Sequence, residues 1–213
     1  MIEKDSLAKN SVYRVSKDYR AAMGVVKLYP GSKPAPRRSN NAEARMNIRF
    51  VWALQGHASR FSDGSWPVLY TAQMQKTACA EVGYHLQEVY LPAKLPGVDI
   101  SSPHIVYKLR VRGMRRSLSF DEAHFPVLCG TGAVEMAACH NIARQAISEG
   151  VAYLLAPSAR AIGKRCYPIL SEKVASKPFD ADTVELVVWD DVRTVLVKGK
   201  GRQSVIEISR KYK

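Results

Sequence analysis

A guanidinium, a phenol and a carboxylate follow one another at intervals of ten and eleven residues, at Arg60, Tyr70 and Glu81. All three lie in the stretch R-F-S-D-G-S-W-P-V-L-Y-T-A-Q-M-Q-K-T-A-C-A-E-V-G-Y-H, residues 60–85. Arginine grips a phosphate with a planar fork of donors, which lysine cannot imitate. A tyrosine ring stacks on other flat rings. A carboxylate accepts hydrogen bonds from sugar hydroxyls and stabilises positive charge growing on a sugar carbon, as glycosidases use it. A competing reading makes Arg60 a surface cation, Tyr70 a core residue and Glu81 a solvated helix position, and motif spacing alone leaves both open.

The local elements decide how these groups can be held. Residues 60–66 read as a loop, because Ser62, Asp63, Gly64 and Ser65 are turn formers. Residues 67–71, P-V-L-Y-T, read as a short strand. Residues 73–89 read as a helix, with Ala78, Val82, Leu86 and Val89 recurring on one face. Glu81 and His85 are one turn apart on the neighbouring face. With Ala78, Ala80 and Val82 around it, Glu81 sits at the edge of the apolar stripe. A carboxylate there must be paired or must face a cleft, since burying it alone is costly.

The run R-F-x-x-x-G-x-W-x-V-L-Y-T-A followed by T-A-x-A-E-V-x-Y-H resembles the core of the RES domain. That family is named for its arginine, glutamate and serine. The later stretch G-V-A-Y-L-L-A-P-S-A-R, residues 150–160, supplies the serine as Ser158. The resemblance implies a fold like that of ADP-ribosyltransferases. It implies the toxin of a RES–Xre toxin–antitoxin pair, which degrades NAD by phosphorolysis or hydrolysis. NAD would be the substrate, inorganic phosphate a candidate co-substrate, and no metal is expected. On this reading Glu81, Arg60 and Ser158 are the catalytic residues. Arg60 grips the pyrophosphate, Tyr70 stacks on nicotinamide, Glu81 faces the ribose and Ser158 hydrogen-bonds the substrate or seats the attacking group. The family's early arginine falls on Arg14, with Arg45 or Arg49 as alternatives. Arg160 and His85 are candidates to support these groups. The implied partners are a cognate Xre-like antitoxin and NAD, with nucleic acid reached only through the antitoxin. A homodimer within a larger toxin–antitoxin complex is also open. No G-x-G-x-x-G follows a strand, so NAD would not bind in the Rossmann manner.

Composition agrees with a globular chain. At 213 residues it is long enough for one domain with a sizeable core. No apolar run approaches the ~20 residues of a membrane span. The start, M-I-E-K-D-S-L-A-K-N, lacks the apolar stretch of a secretory signal, so a cytoplasmic setting is expected. Cysteines 79, 129, 139 and 166 form no C-x-x-C pair, which argues against zinc and for reduced, mostly buried thiols. The net charge of +13 concerns partners rather than fold.

Along the chain, residues 1–10 and 205–213 read as loose ends and residues 31–45 as an inserted loop. Residues 11–15 read as an edge or first strand, 46–54 as a buried strand or short helix, and 91–103 as a loop. Residues 104–111 read as a strand with His104, Lys108 and Arg110 outward. Residues 125–128 read as a short strand, 133–149 as a helix closed by Gly150, and 151–156 as a buried strand ending at Ser158. Residues 167–170 and 183–189 read as strands and 180–183 as a turn, with one strand in the last twenty residues. The expected fold is a single α+β domain on a mixed, mainly antiparallel sheet of about seven strands, because too few helices alternate with them for a doubly wound sheet.

Three functions fit: an NAD-cleaving toxin, a mono-ADP-ribosyltransferase acting on a protein, and a non-catalytic basic nucleic-acid-binding domain. No RNA-recognition motif or zinc finger accompanies the charge. The basic surface is therefore expected to serve docking of an acidic protein and solubility. Binding to mixed-sequence DNA and RNA, followed by fluorescence anisotropy over a salt series, should be weak at physiological salt. Tight binding with a steep salt slope would favour the third function.

Overall fold

The computed structural model describes residues 2–3, 10–17, 58–90, 100–118, 121–171, 180–188, 194–199 and 201–211. Its strands are β1 (Ile2–Glu3), β2 (Asn10–Lys17), β3 (Leu69–Ala72), β4 (Ile100–Val111) and β5 (Arg115–Ser117). They continue as β6 (Tyr153–Pro157), β7 (Arg165–Ile169), β8 (Asp180–Val188), β9 (Thr194–Gly199) and β10 (Arg202–Glu207). The helices are α1 (Gln75–Tyr90), a 3-10 turn at Glu122–His124, α2 (Phe125–Cys129) and α3 (Ala133–Ser148). No described helix is long and apolar enough to cross a membrane.

The ten strands form one sheet in the order β1-β5-β6-β7-β3-β2-β4-β8-β9-β10. Among the described strands β5 and β6 are the one parallel pair. The fold is therefore α+β on a mixed, mainly antiparallel sheet. Its middle is narrow: β2 pairs with β4 along eight residues but with β3 only at Tyr13↔Ala72.

Register explains where the core lies. Ala72 pairs with Cys166, and Cys166 with Ala156, so these side chains share one face. That face carries two apolar clusters. One gathers Ala78, Cys79, Ala80, Tyr84 and Leu86 of α1 over Ala72, Val106, Cys166, Leu186, Val195 and Val197. The other gathers Phe125, Leu128 and Cys129 of α2 and Cys139, Ala143 and Ala146 of α3 over Val68, Leu154, Ala156 and Leu170. A third cluster, with Leu69, Leu109, Tyr153, Tyr167 and Ile169, occupies the opposite face. β6 is apolar on both faces, as expected for an interior strand.

The helix over Glu81 forms as its apolar spacing predicts, with Ala78 and Leu86 buried and Val82 partly so. Gly83 lets it approach the sheet. A Cβ there would meet Val195 Cγ2 at 2.9 Å and Ile208 Cδ1 at 3.1 Å. The helix of residues 133–148 closes at Gly150, whose φ of +73° suits glycine.

Several expectations are corrected. Residues 11–15 belong to an interior strand, because β2 finds partners on both sides. Ile2–Glu3 pairs with β5, so the first ten residues are not all loose. The tail forms the hairpin β9–β10, turning at Gly201 with φ +66°, and Ile206 and Ile208 are buried. Residues 180–183 continue β8 instead of turning, since β4 supplies their partners. β4 itself starts at Ile100, and among the described residues its segment before His104 pairs with β8 alone, Pro103 standing opposite Glu185. His104 is buried rather than outward, because its register partner Val184 and its same-face neighbour Val106 both belong to a buried apolar cluster. Residues 125–129 are a helix, with Pro126 in its first turn where a missing N–H costs nothing. The expected loop at 31–45 and the apolar run at 46–54 lie outside the described residues.

Gly83→Ala should destabilise the fold by about 1–3 kcal/mol, the usual cost of forcing a methyl group into a packed core. Thermal melts of the two proteins check this, with Gly163→Ala as a contrast, since a Cβ there meets nothing within 4 Å and only the φ of +73° resists it.

Candidate functional site

Glu81 lies on α1 and Ser158 immediately after β6, 77 residues apart in sequence, and Ser158 Oγ donates a 2.5 Å hydrogen bond to Glu81 Oε1. The serine oxygen in turn accepts the backbone N–H groups of Arg160 at 3.3 Å and Ala161 at 2.9 Å. Ser158 therefore does cap a turn, and it serves the carboxylate as well. Two N–H donors on its oxygen polarise its O–H toward Glu81. Residues 158–164 form the β6–β7 connection, closed by Ser158 N–H on the Lys164 carbonyl at 2.8 Å.

Arg60 comes from the loop before β3. Its guanidinium is enclosed; burial works against the charge, but the Glu81 carboxylate, with smaller help from Cys129, Tyr70 and Cys166, leaves its pKa raised. Among the described residues no ion pair joins Arg60 and Glu81, so the two charges face one another without direct contact.

Tyr70, on β3, turns out to hold the Arg60 loop. Its hydroxyl donates to Ser59 Oγ at 3.0 Å and accepts the Phe61 N–H at 2.8 Å, so it grips the residues on both sides of Arg60. The residue remains 39% exposed, and burial raises the pKa of its hydroxyl against the opposing hydrogen bonds to Ser59 and Phe61. The rest of the loop is equally tied. Ser59 and Ser62 exchange backbone hydrogen bonds. Trp66 Nε1 donates to the Phe61 carbonyl at 2.8 Å, and His140 Nε2 lies 2.8 Å from the Ser59 carbonyl. Arg144 pairs with Asp63 at 2.9 Å and lies over the Trp66 ring.

Arg160 is buried, with its guanidinium 3.4 Å from the centre of the Tyr84 ring. Burial and the Arg60 charge lower its pKa, and Tyr84 and Glu81 work against that shift without overcoming it. Cys166 Sγ lies 3.6 Å from Glu81 Oε1. Burial pushes the Cys129 thiol up to about 11 and Cys166 well above the usual thiol range, so both are neutral at physiological pH. All four cysteines are free and buried.

The structure thus brings Arg60, Tyr70, Glu81, Ser158 and Arg160 together at the seam between the two clusters on one face of the sheet. His85 is exposed and sits edge-on to Tyr84 at 5.6 Å, one turn past Glu81. Arg14 lies on β2 in register with Tyr107, one residue off the row Tyr13–Ala72–Cys166 that reaches the site. Arg45 and Arg49 lie outside the described residues. Sequence reasoning missed Ser59, His140 and Cys166. None stands in a motif, and only sheet pairing and helix packing carry them to the site.

A mainly antiparallel α+β sheet that gathers an arginine, a glutamate and a serine from three separate segments defines the class. The sequence matches the RES domain over residues 14–190, and the chain belongs to that family. Curated proteins show no significant match to it.

Tyr70→Phe keeps the ring and removes the clamp. It should cost about 1 kcal/mol, the usual net worth of a hydrogen bond, or about 2–4 °C in Tm for a chain of this size. Amide exchange at Phe61 should rise. Parent-like exchange there would show that the hydroxyl does not hold the loop.

Proposed function

We propose that the protein is an NAD-cleaving enzyme and the toxin of a toxin–antitoxin pair, breaking the bond between nicotinamide and ribose. The observation that carries this reading is the Glu81–Ser158 hydrogen bond beside an enclosed Arg60 guanidinium. In this reaction the C–N bond breaks with its electron pair moving to the nicotinamide nitrogen, which leaves as a neutral molecule. The ribose carbon becomes cationic and is captured by an oxygen of phosphate or water, with loss of one proton from water in hydrolysis.

Each residue has a part that its surroundings support. Arg60 is held in its loop before substrate arrives, so little ordering cost falls on binding a pyrophosphate. Both protein donors to Glu81 among the described residues reach Oε1. Oε2 receives none among them, which suits it to the ribose hydroxyls and to the developing positive charge. Ser158 holds Oε1 in place and lies where the attacking group could be seated. Tyr70 presents an open ring beside Arg60 for stacking. Family membership agrees with this reading, in which the arginine, glutamate and serine that name the family are taken to be Arg60, Glu81 and Ser158. The excess of basic residues suits an acidic antitoxin surface and a substrate that carries a pyrophosphate.

Nicotinamide release from NAD by the purified protein, with and without inorganic phosphate, tests the reading directly. Acceleration by phosphate indicates phosphorolysis. Transfer of labelled ADP-ribose to protein would favour the transferase instead, and intact NAD would sink both. Glu81→Gln keeps the shape but removes the charge, and should slow single-turnover cleavage by about 10²–10³, the scale for losing one preorganised electrostatic contact. Arg60→Lys should bind NAD about tenfold or more weakly, because hydrogen bonds to charged groups are worth ~1.5–3 kcal/mol and lysine lacks the fork. A fully active lysine variant would remove the bidentate role from Arg60.

A further inference from the structure

We propose that Cys166 is a positioning residue for Glu81: its thiol donates to Oε1 alongside Ser158 and holds the carboxylate so that Oε2 faces the substrate. The inference rests on the proposed reaction for its catalytic consequence, but the contact itself does not.

The geometry begins with the sheet. Cys166 is the central member of the row Ala72–Cys166–Ala156 across β3, β7 and β6. Its two neighbours in that row are alanines, so the sulfur is the one polar side-chain atom those three positions can offer to α1 above them. The distance from Sγ to Glu81 Oε1 is 3.6 Å, an ordinary length for a thiol donor. Ser158 approaches the same oxygen at 2.5 Å. Pro157 of β6 pairs with Arg165 of β7, so Ser158 and Cys166 stand next to that pair on the two arms of one hairpin. The pairing therefore fixes the spacing between the two donors, and both close on one oxygen from one side. With two donors on one oxygen, rotation of the carboxylate about its last bond would break both contacts at once. Ser158 alone would leave the carboxylate freer to swing about that single contact.

A donating role requires the thiol to keep its proton. Burial raises its pKa well above the usual range, and the Glu81 charge adds to that, while Arg60 pulls less strongly the other way. Cys166 is thus a neutral donor throughout the range in which the enzyme would act, and it does not place a second negative charge beside Glu81. A thiol is a weak donor and a weak nucleophile when protonated, which suits a group that orients the carboxylate without reacting.

The contact is tested on the unliganded protein by the S–H stretching band, assigned by its loss in Cys166→Ala. In Glu81→Ala the Cys166 band should move to higher frequency, since its acceptor is gone. An unmoved band overturns the hydrogen bond. The role is tested by kinetics. Cys166→Ala should lower kcat for NAD cleavage about tenfold, the low end for a hydrogen bond to a charged group, with KM within about twofold of the parent. Cys166→Ser, which retains a donor on a shorter bond, should recover a substantial part of kcat. An alanine variant with parent kcat overturns the positioning role. So does a serine variant no better than alanine at equal Tm, because a role in packing alone would not separate them. If the parent leaves NAD intact, the functional reading fails, and the band shift still decides the contact.

Discussion

The structure depends on keeping one carboxylate at a seam between apolar clusters. Glu81 projects from a helix whose neighbours Ala78 and Ala80 are buried, and it meets β7 and the β6–β7 turn below. An unpaired charge there would cost several kcal/mol, and the surrounding groups are arranged to offset that cost. Ser158 donates to Glu81 while its own oxygen is loaded with two backbone N–H groups. Arg60 supplies the balancing charge at a distance. The arrangement stabilises the carboxylate without neutralising it by a direct ion pair, which leaves its charge available to a ligand.

The two arginines near Glu81 are held by different means. Arg60 owes its position to its loop, pinned by Tyr70 on β3 and His140 on α3. Arg160 owes its position to an aromatic face: it lies 3.4 Å over Tyr84, and Arg210 approaches the same ring at 5.3 Å. Such contacts are worth about 2 kcal/mol or more when desolvated. The division separates an arginine facing the carboxylate from one committed to the wall of the site.

That wall includes the chain's last described segment. Ser209 N–H donates to the Arg160 carbonyl at 2.9 Å, and Ile208 packs at Gly83. Arg210 reaches Glu88 at 2.8 Å and Gln87 at 3.0 Å on α1. Gln87 in turn donates to the Thr194 carbonyl at the start of β9. The terminal hairpin, its following strap and α1 therefore form one connected body behind Glu81. A basic tail that composition alone would leave in solvent instead braces the site.

Local chemistry was enough to identify much of this protein. The loop before β3, the helix carrying Glu81, the buried strand before Ser158 and the glycine that ends α3 are all legible, because turn formers, apolar periodicity and left-handed glycines act within a few residues. Arg60, Glu81 and Ser158 were singled out by the resemblance of their flanking residues to one family, since spacing alone left a structural reading of each open. What the sequence could not determine depends on pairing between distant segments. Whether β2 lies at an edge or in the interior is decided by β3 and β4, not by its own eight residues. His104 looks outward in an alternating strand, but Val184, its register partner on β8, lies in a buried cluster. Residues 125–128 read as a short strand but fold within a helix, because so short an apolar run carries no decisive period. Tyr70 was legible as an aromatic group near a site, but its grip on Ser59 and Phe61 exists only once the loop folds back over β3. Cys166 had no signature at all: its sulfur meets Glu81 because a strand register 85 residues away in sequence places it there, and register is a property of the folded sheet rather than of the residue.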